Sequence, residues 1–305
     1  MKRMIFLLFM VFPLVAFTQQ LPDKGYSPFL KNPEYLPGKG PVVFIDEGHH
    51  NFHTKNGRFF AFAKLLERDG YKVEEFKGQF SKKKLSEGKI LVISNALNKI
   101  NVNDWFLPTP SAFEVNEIEE LRQWVFDGGS LFLIADHMPM AGAAHDLAAV
   151  FGFDFTNGFA VDTSNKGPSL FTVRDNTLME SEITKGRDST ESVEQIATFT
   201  GQAFKISGNN ARPILKFNSS HTNFLPDTAW VFNEKTVKYN LEGWSQGAFT
   251  EYGNGKVVVF GEAAMFTAQI AGPQKNKVGM NSDIASRNFQ LALNIIHWLD
   301  GKLKK

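Results

Sequence analysis

Residues 128–152 read GGSLFLIADHMPMAGAAHDLAAVFG. The paired glycines stop whatever helix precedes them. SLFLIA (130–135) is a short, nearly unbroken apolar run, the pattern of a strand covered on both faces. Asp136 and His137 follow at once, and AGAAHDLAAVFG (141–152) then has the composition of a short helix closed by Gly152. A buried strand, a polar turn and a helix make one unit of a parallel sheet with helices on its faces.

The same unit recurs on both sides. PVVFI (41–45) is a buried-strand run, and apolar residues from Gly57 to Asp69 recur at helical spacing, with Gly70 as the terminating glycine. YKVEEF (71–76) and KILVIS (89–94) read as further strands. Ser111 and Glu114 have the spacing of a capping box, opening a helix that carries Ile118, Leu121, Trp124 and Val125 on one face. Toward the other end, KVVVFGEA (256–263) is another buried strand, with EAAMFTAQ (262–269) opening a helix after it, and a final helix runs from about Ile284 to Leu299. Between them, residues 153–255 change to short alternating stretches, SLFTV, VEQIATFTGQAFKI and GAFTEY, separated by Gly, Asn and Pro. The expected fold is therefore α/β: a mostly parallel sheet flanked by helices, in a single domain over 41–305 with a β-rich insertion at about 153–255.

Residues 1–18 read as a secretory signal. Lys2 and Arg3 precede an apolar run from Met4 to Ala16, shorter than the ~20 residues a membrane span needs, and small residues at Ala16 and Thr18 suit cleavage before Gln19. This predicts an exported protein, periplasmic or extracellular, with an extended lead-in over 19–40 and no membrane span after cleavage. The formal net charge of +1, with no basic block, gives no footing for a nucleic-acid partner. The chain has no cysteine, which removes disulfides, thiolate–zinc sites and thiol nucleophiles together.

The polar residues at the strand ends carry the functional reading. In an open parallel sheet all carboxyl ends lie on one edge, where ligands bind. PVVFI is followed by Asp46, Glu47 and His49, KILVIS by Asn95, SLFLIA by Asp136 and His137, and KVVVF by Glu262. Two chemistries suit that set. In one, His49, His53 and Asp136 ligate a divalent metal such as Zn or Mn; the two histidines are four apart and share a face if the segment is helical. In the other, His49, Asp136, His137 and Glu262 act as acid–base groups without a metal. Asp46 and Glu47 would orient these groups from behind. Asn95, Thr200, Gln202 and Gln269 are candidate substrate contacts; Thr198, Thr200 and Gln202 fall on one face if TFTGQAF (198–204) is a single strand. Residues 272–283 could close as a lid. Among the remaining histidines, His221 reads as a surface-loop residue, and His297 as a cation at the end of the last helix.

VVFIDEGHHNFHT, GGSLFLIADHMPMAG and GKVVVFGEAAMFTAQ, with the closing NIIHWL, resemble the class I glutamine amidotransferase-like superfamily. The likeness is to its exported bacterial branch of unknown function, with trehalose-utilisation-type proteins as distant relatives. It covers about residues 40–152 and 256–300 and implies a flavodoxin-like sheet. Amidotransferases of this class carry a cysteine at the turn after the strand matching SLFLIA, where this chain has Ala135-Asp136-His137. Thiol-based glutamine hydrolysis is thereby excluded. The resulting expectation is a hydrolase-like enzyme for a small polar or carbohydrate-type substrate, or else a non-catalytic module that binds a glycan or a protein.

Overall fold

The computed structural model describes residues 20–303 except Lys166 and Asn209. The secretory signal expected at residues 1–18 lies outside the described residues. The α/β units form as their patterns require: β1 (Val42–Asp46), α1 (Phe60–Arg68), β2 (Lys72–Phe76), β3 (Ile90–Ser94), α2 (Val115–Phe126), β4 (Ser130–Ile134), α3 (Met140–Ala149), β5 (Gly255–Phe260) and α4 (Asn288–Leu299). β1 to β5 run parallel in the order β2-β1-β3-β4-β5. Their buried runs need cover on both sides, and the helices supply it. Phe62 and Leu66 of α1 and Leu291 and Ile295 of α4 pack on one face, and Leu121 and Trp124 of α2 and Leu147 of α3 on the other.

The β-rich insertion continues this sheet. Ser245–Tyr252 pairs antiparallel with β5, and Phe204–Ile206 and Phe153–Phe155 extend it to nine strands, Arg212–Lys216 also pairing with Ser245–Tyr252. A three-stranded sheet of Phe159–Asp162, His221–Leu225 and Val237–Asn240 and a hairpin of Ser169–Thr172 with Gln195–Thr198 complete it. No helix among the described residues is long and apolar enough to cross a membrane.

Several local expectations change. The capping box at α2 is Glu114 with Glu117, three residues beyond Ser111 and Glu114; the Ser111 hydroxyl instead accepts the Phe113 N–H in a tight turn. TFTGQAF is not one strand: Gln195–Thr198 ends before Gly201, whose φ of 105° breaks the alternation, so Thr198, Thr200 and Gln202 share no strand face. After β5 only a 3₁₀ turn, Ala264–Phe266, forms before the chain becomes strand Ala268–Ala271. That strand pairs with Asn276–Gly279 and with Gln20–Pro22, so most of the proposed lid is a hairpin and the lead-in begins as an edge strand. The last helix starts at Asn288, behind a 3₁₀ turn at Asp283–Ala285. His221 is buried in a strand against Phe171 and Phe217, its Nδ1 2.8 Å from Asn218 Oδ1. His297 is fully buried, with Nε2 2.6 Å from Asp69 Oδ2, because the end of α4 is packed inside the protein.

Candidate functional site

The parallel register fixes the centre of the site. Ile134 of β4 is directly opposite Phe260 of β5, so Asp136 and Glu262, each two residues further on, leave adjacent strands side by side. Asn95 joins them from β3. Its backbone takes a left-handed φ of 51°, its N–H donates to Ile134 O (2.9 Å), and its Oδ1 accepts the Asp136 N–H at 2.8 Å. Asn95 therefore spends its side-chain oxygen on setting the Asp136 turn.

Glu262 is completely buried and accepts the Ala264 and Met265 N–H groups, both at 2.8 Å. Burial, reinforced by the charge of Asp136, pushes its carboxyl well above the usual range, against the pull of these N–H donors. Gly201 makes room for this arrangement. A Cβ there would lie 2.2 Å from Gly261 O and 2.8 Å from Glu262 Cβ. Gly201→Ala is expected to cost about 1–3 kcal/mol in urea denaturation; an unchanged midpoint would mean that Glu262 is not held by this close approach.

His137 is the third group. Its Nδ1 lies 2.7 Å from Met138 O, and a carbonyl only accepts, so Nδ1 carries a hydrogen, and in the neutral ring Nε2 is the nitrogen with the lone pair. That Nε2 is 4.0 Å from Asp136 Oδ1. The ring stacks on Phe159 at 4.2 Å and meets Trp230 edge-on at 4.7 Å, with Trp105 at 6.1 Å. Phe159 and Trp230 belong to the insertion. Trp105 and Leu107 are tied to it by hydrogen bonds from Ala229 to Trp105 O (2.8 Å) and from Leu107 to Asp227 O (2.9 Å). The insertion thus forms one wall of the carboxyl edge.

The segment after β1 is differently arranged from the sequence expectation. It is irregular, with His50 at φ 48°, so His49 and His53 do not share a helical face. His49 is buried between carboxylates. Its Nδ1 lies 2.9 Å from Asp46 Oδ2, and its Nε2 3.0 Å from Glu117 Oε1. Burial opposes its charge, but Asp46 and Glu117 together raise its pKa. With both nitrogens engaged, His49 fixes the loop rather than facing a ligand. Asp46 also accepts from Gly48 and Asn51, and Glu47 accepts the Lys55 N–H at 2.8 Å. These two carboxylates hold the loop that follows β1. His53 is buried with Nδ1 2.9 Å from Ser94 Oγ and its ring stacked on Phe59; burial, with the Arg58 charge, lowers its pKa to about 3.

No cluster of three or more His, Asp or Glu side chains suited to a metal ion occurs among the described residues, so His49, His53 and Asp136 do not assemble a coordination shell. Gln202 is fully buried, holding Thr156 N–H and Ala135 O, while Thr200 donates to Phe199 O. Gln269 donates to Thr267 Oγ1 within the side sheet. These three side chains brace the fold around the edge. Sequence reading passed over Glu117, Phe159 and Trp230. Glu117 was legible as the second half of an E-x-x-E spacing; the two aromatics are brought in only by the insertion.

No family model matches the chain, and no curated protein matches it by sequence. Solved structures do. The mmIFT52 N-terminal domain is similar over 84% of this chain and 96% of its own, with a TM-score of 0.59 and 15% identity. A protein described as ThuA-like from Bacteroides uniformis covers 91% of this chain and 96% of its own, at TM-score 0.47 and 12% identity. Cytoplasmic protein STM3548 from Salmonella typhimurium covers 85% and 98%, at 0.49 and 15%. At 15% identity the likeness to the mmIFT52 N-terminal domain concerns the fold alone, here a mixed α/β protein with a central, mostly parallel sheet.

Proposed function

We propose that this chain is an exported, hydrolase-like enzyme with a flavodoxin-like core of the class I glutamine amidotransferase-like type, acting on a small polar or carbohydrate-type substrate at the carboxyl edge. The strand order β2-β1-β3-β4-β5 supports the core assignment, being that of flavodoxin-type sheets. One observation carries the activity: Asp136 and Glu262 leave paired strands side by side, with His137 Nε2 beside Asp136. Two carboxyls in unlike environments, one fully buried with its pKa raised by burial and by the Asp136 charge, one partly open, suit acid–base hydrolysis. His137 Nε2 is the group able to take a proton from water, Glu262 the group able to hold one.

The test uses the mature chain and a panel of nitrophenyl glycosides and nitrophenyl esters. Asp136→Asn is expected to lower kcat/KM at least about a hundredfold while leaving the melting temperature nearly unchanged. Unaltered turnover in that variant would sink the assignment. A second reading, a non-catalytic binding module, is favoured by the apolar rim: Trp230 is 53% exposed, Phe106 49% and Leu107 45%. Absence of turnover across the panel, with a saccharide raising the melting temperature, would select it.

A further inference from the structure

Arg58 stands apart from the other half-buried arginines. Arg122 and Arg187 are paired with carboxylates, and Arg287 donates to the carbonyls of Thr190 and Ser192. Arg58 forms no ion pair or hydrogen bond among the described residues, and its Nε is buried without an acceptor. Its guanidinium lies 3.8 Å from the centre of the Phe52 ring. Burial lowers its pKa, and no acidic side chain acts in the opposite sense. A cation taken partly out of water without an anion is unfavourable.

Its position is informative. Phe52 donates its N–H to Asn95 O, at the end of β3, and its ring meets Trp105 edge-on at 5.5 Å. Trp105 in turn faces His137. Arg58 therefore stands at the same sheet edge as Asp136, across the aromatic residues from it. Just behind it, α1 begins with no side-chain cap and no acidic residue in its first turn, so the partial positive charge of that helix end is also unneutralised. One flank of the edge is cationic, while the strand-end flank holds the carboxyls.

We infer that Arg58 is an anion subsite: it receives the carboxylate or phosphate of a small ligand whose remainder reaches Asp136 and His137. The inference rests on the reading of the carboxyl edge as the ligand site, and it narrows the ligand to an acidic saccharide or a similar small anion. The planar guanidinium fork suits two oxygens of one oxyanion. The competing role is purely structural, a cation seated on Phe52.

Calorimetry and thermal shift on the mature chain, at ionic strength fixed with sodium chloride, separate the two. The probes are inorganic phosphate and the matched pair galactose and galacturonate. Phosphate, galacturonate or both are expected to raise the melting temperature, with galactose much weaker. Arg58→Gln should weaken the effective anion at least about tenfold. Without any anion, the same variant should melt at or above the wild-type temperature, because it removes an uncompensated charge. Galacturonate without phosphate would identify a carboxylate as the partner; phosphate without galacturonate would identify a phosphoester. Equal anion responses in wild type and Arg58→Gln would overturn the proposal. So would a lower melting temperature in the variant with no anion response in either protein. Asp136→Asn should keep the anion response, so loss of turnover and loss of the subsite are read separately.

Discussion

Glu117→Ala is expected to destabilise the folded chain by about 3–5 kcal/mol, the range for breaking a buried charge pair by removing one partner. A single carboxylate holds three elements here. Oε1 accepts from His49 Nε2 (3.0 Å) and from the Phe80 N–H (2.9 Å), and Oε2 accepts the Glu114 N–H that closes the capping box of α2 (3.0 Å). Removing it leaves a buried imidazole with one carboxylate, an unpaired N–H at Phe80 and an uncapped helix start. Glu117→Gln keeps the shape and one acceptor oxygen, so its cost should be smaller, about 1–3 kcal/mol. Urea denaturation followed by circular dichroism measures both. His49→Ala and the double variant close a cycle in which the two changes should be clearly non-additive. A loss below about 1 kcal/mol for Glu117→Ala would mean that His49 and the α2 start are held by something other than this carboxylate.

The parallel core was legible because its signal is strong and local. VVFID, ILVIS, SLFLI and KVVVF are apolar runs too short for helices and ended by polar turns, and all four are strands. That Asp136 and Glu262 share the carboxyl edge followed from position alone, since each stands just past a buried strand end; that they are neighbours came only with the pairing of β4 and β5. The division of labour around them was not legible. His49 and His137 both follow strands and look alike in sequence; one is buried between two carboxylates, the other keeps a free nitrogen. The difference is made by Glu117, 68 residues from His49, and by aromatic residues of the insertion. Arg58 shows the same limit from the other side, because the lack of a partner is a property of space. TFTGQAF misled because alternation counts residues and does not register that the chain passes hard against Gly261, with Gly201 at a positive φ.

Replacing His53 should remove most of one acid-dependent loss of stability. Its pKa is lowered to about 3 by burial and by the Arg58 charge, against 6.5 for the unperturbed ring. Below pH 6.5 the unfolded chain takes up a proton that the folded chain refuses, so the stability this ring contributes is complete above 6.5 and is lost as pH falls toward 3. The loss at the acid end is on the order of 4 kcal/mol. His49 has the opposite sign. Its folded pKa is raised, so its contribution is complete below 6.5 and is lost as pH rises through the folded value. Glu117 and Glu262 titrate in both wild type and a His53 variant, so their effects cancel in the difference. His53→Asn, which can keep a polar contact to Ser94 Oγ, is therefore the informative change: its stability relative to wild type should rise steadily between pH 6.5 and 4. Urea midpoints at half-unit steps of pH would show this slope. A difference independent of pH would mean that His53 is not the ring kept neutral inside the fold, and the acid sensitivity would then have to come from the carboxylates at the strand ends.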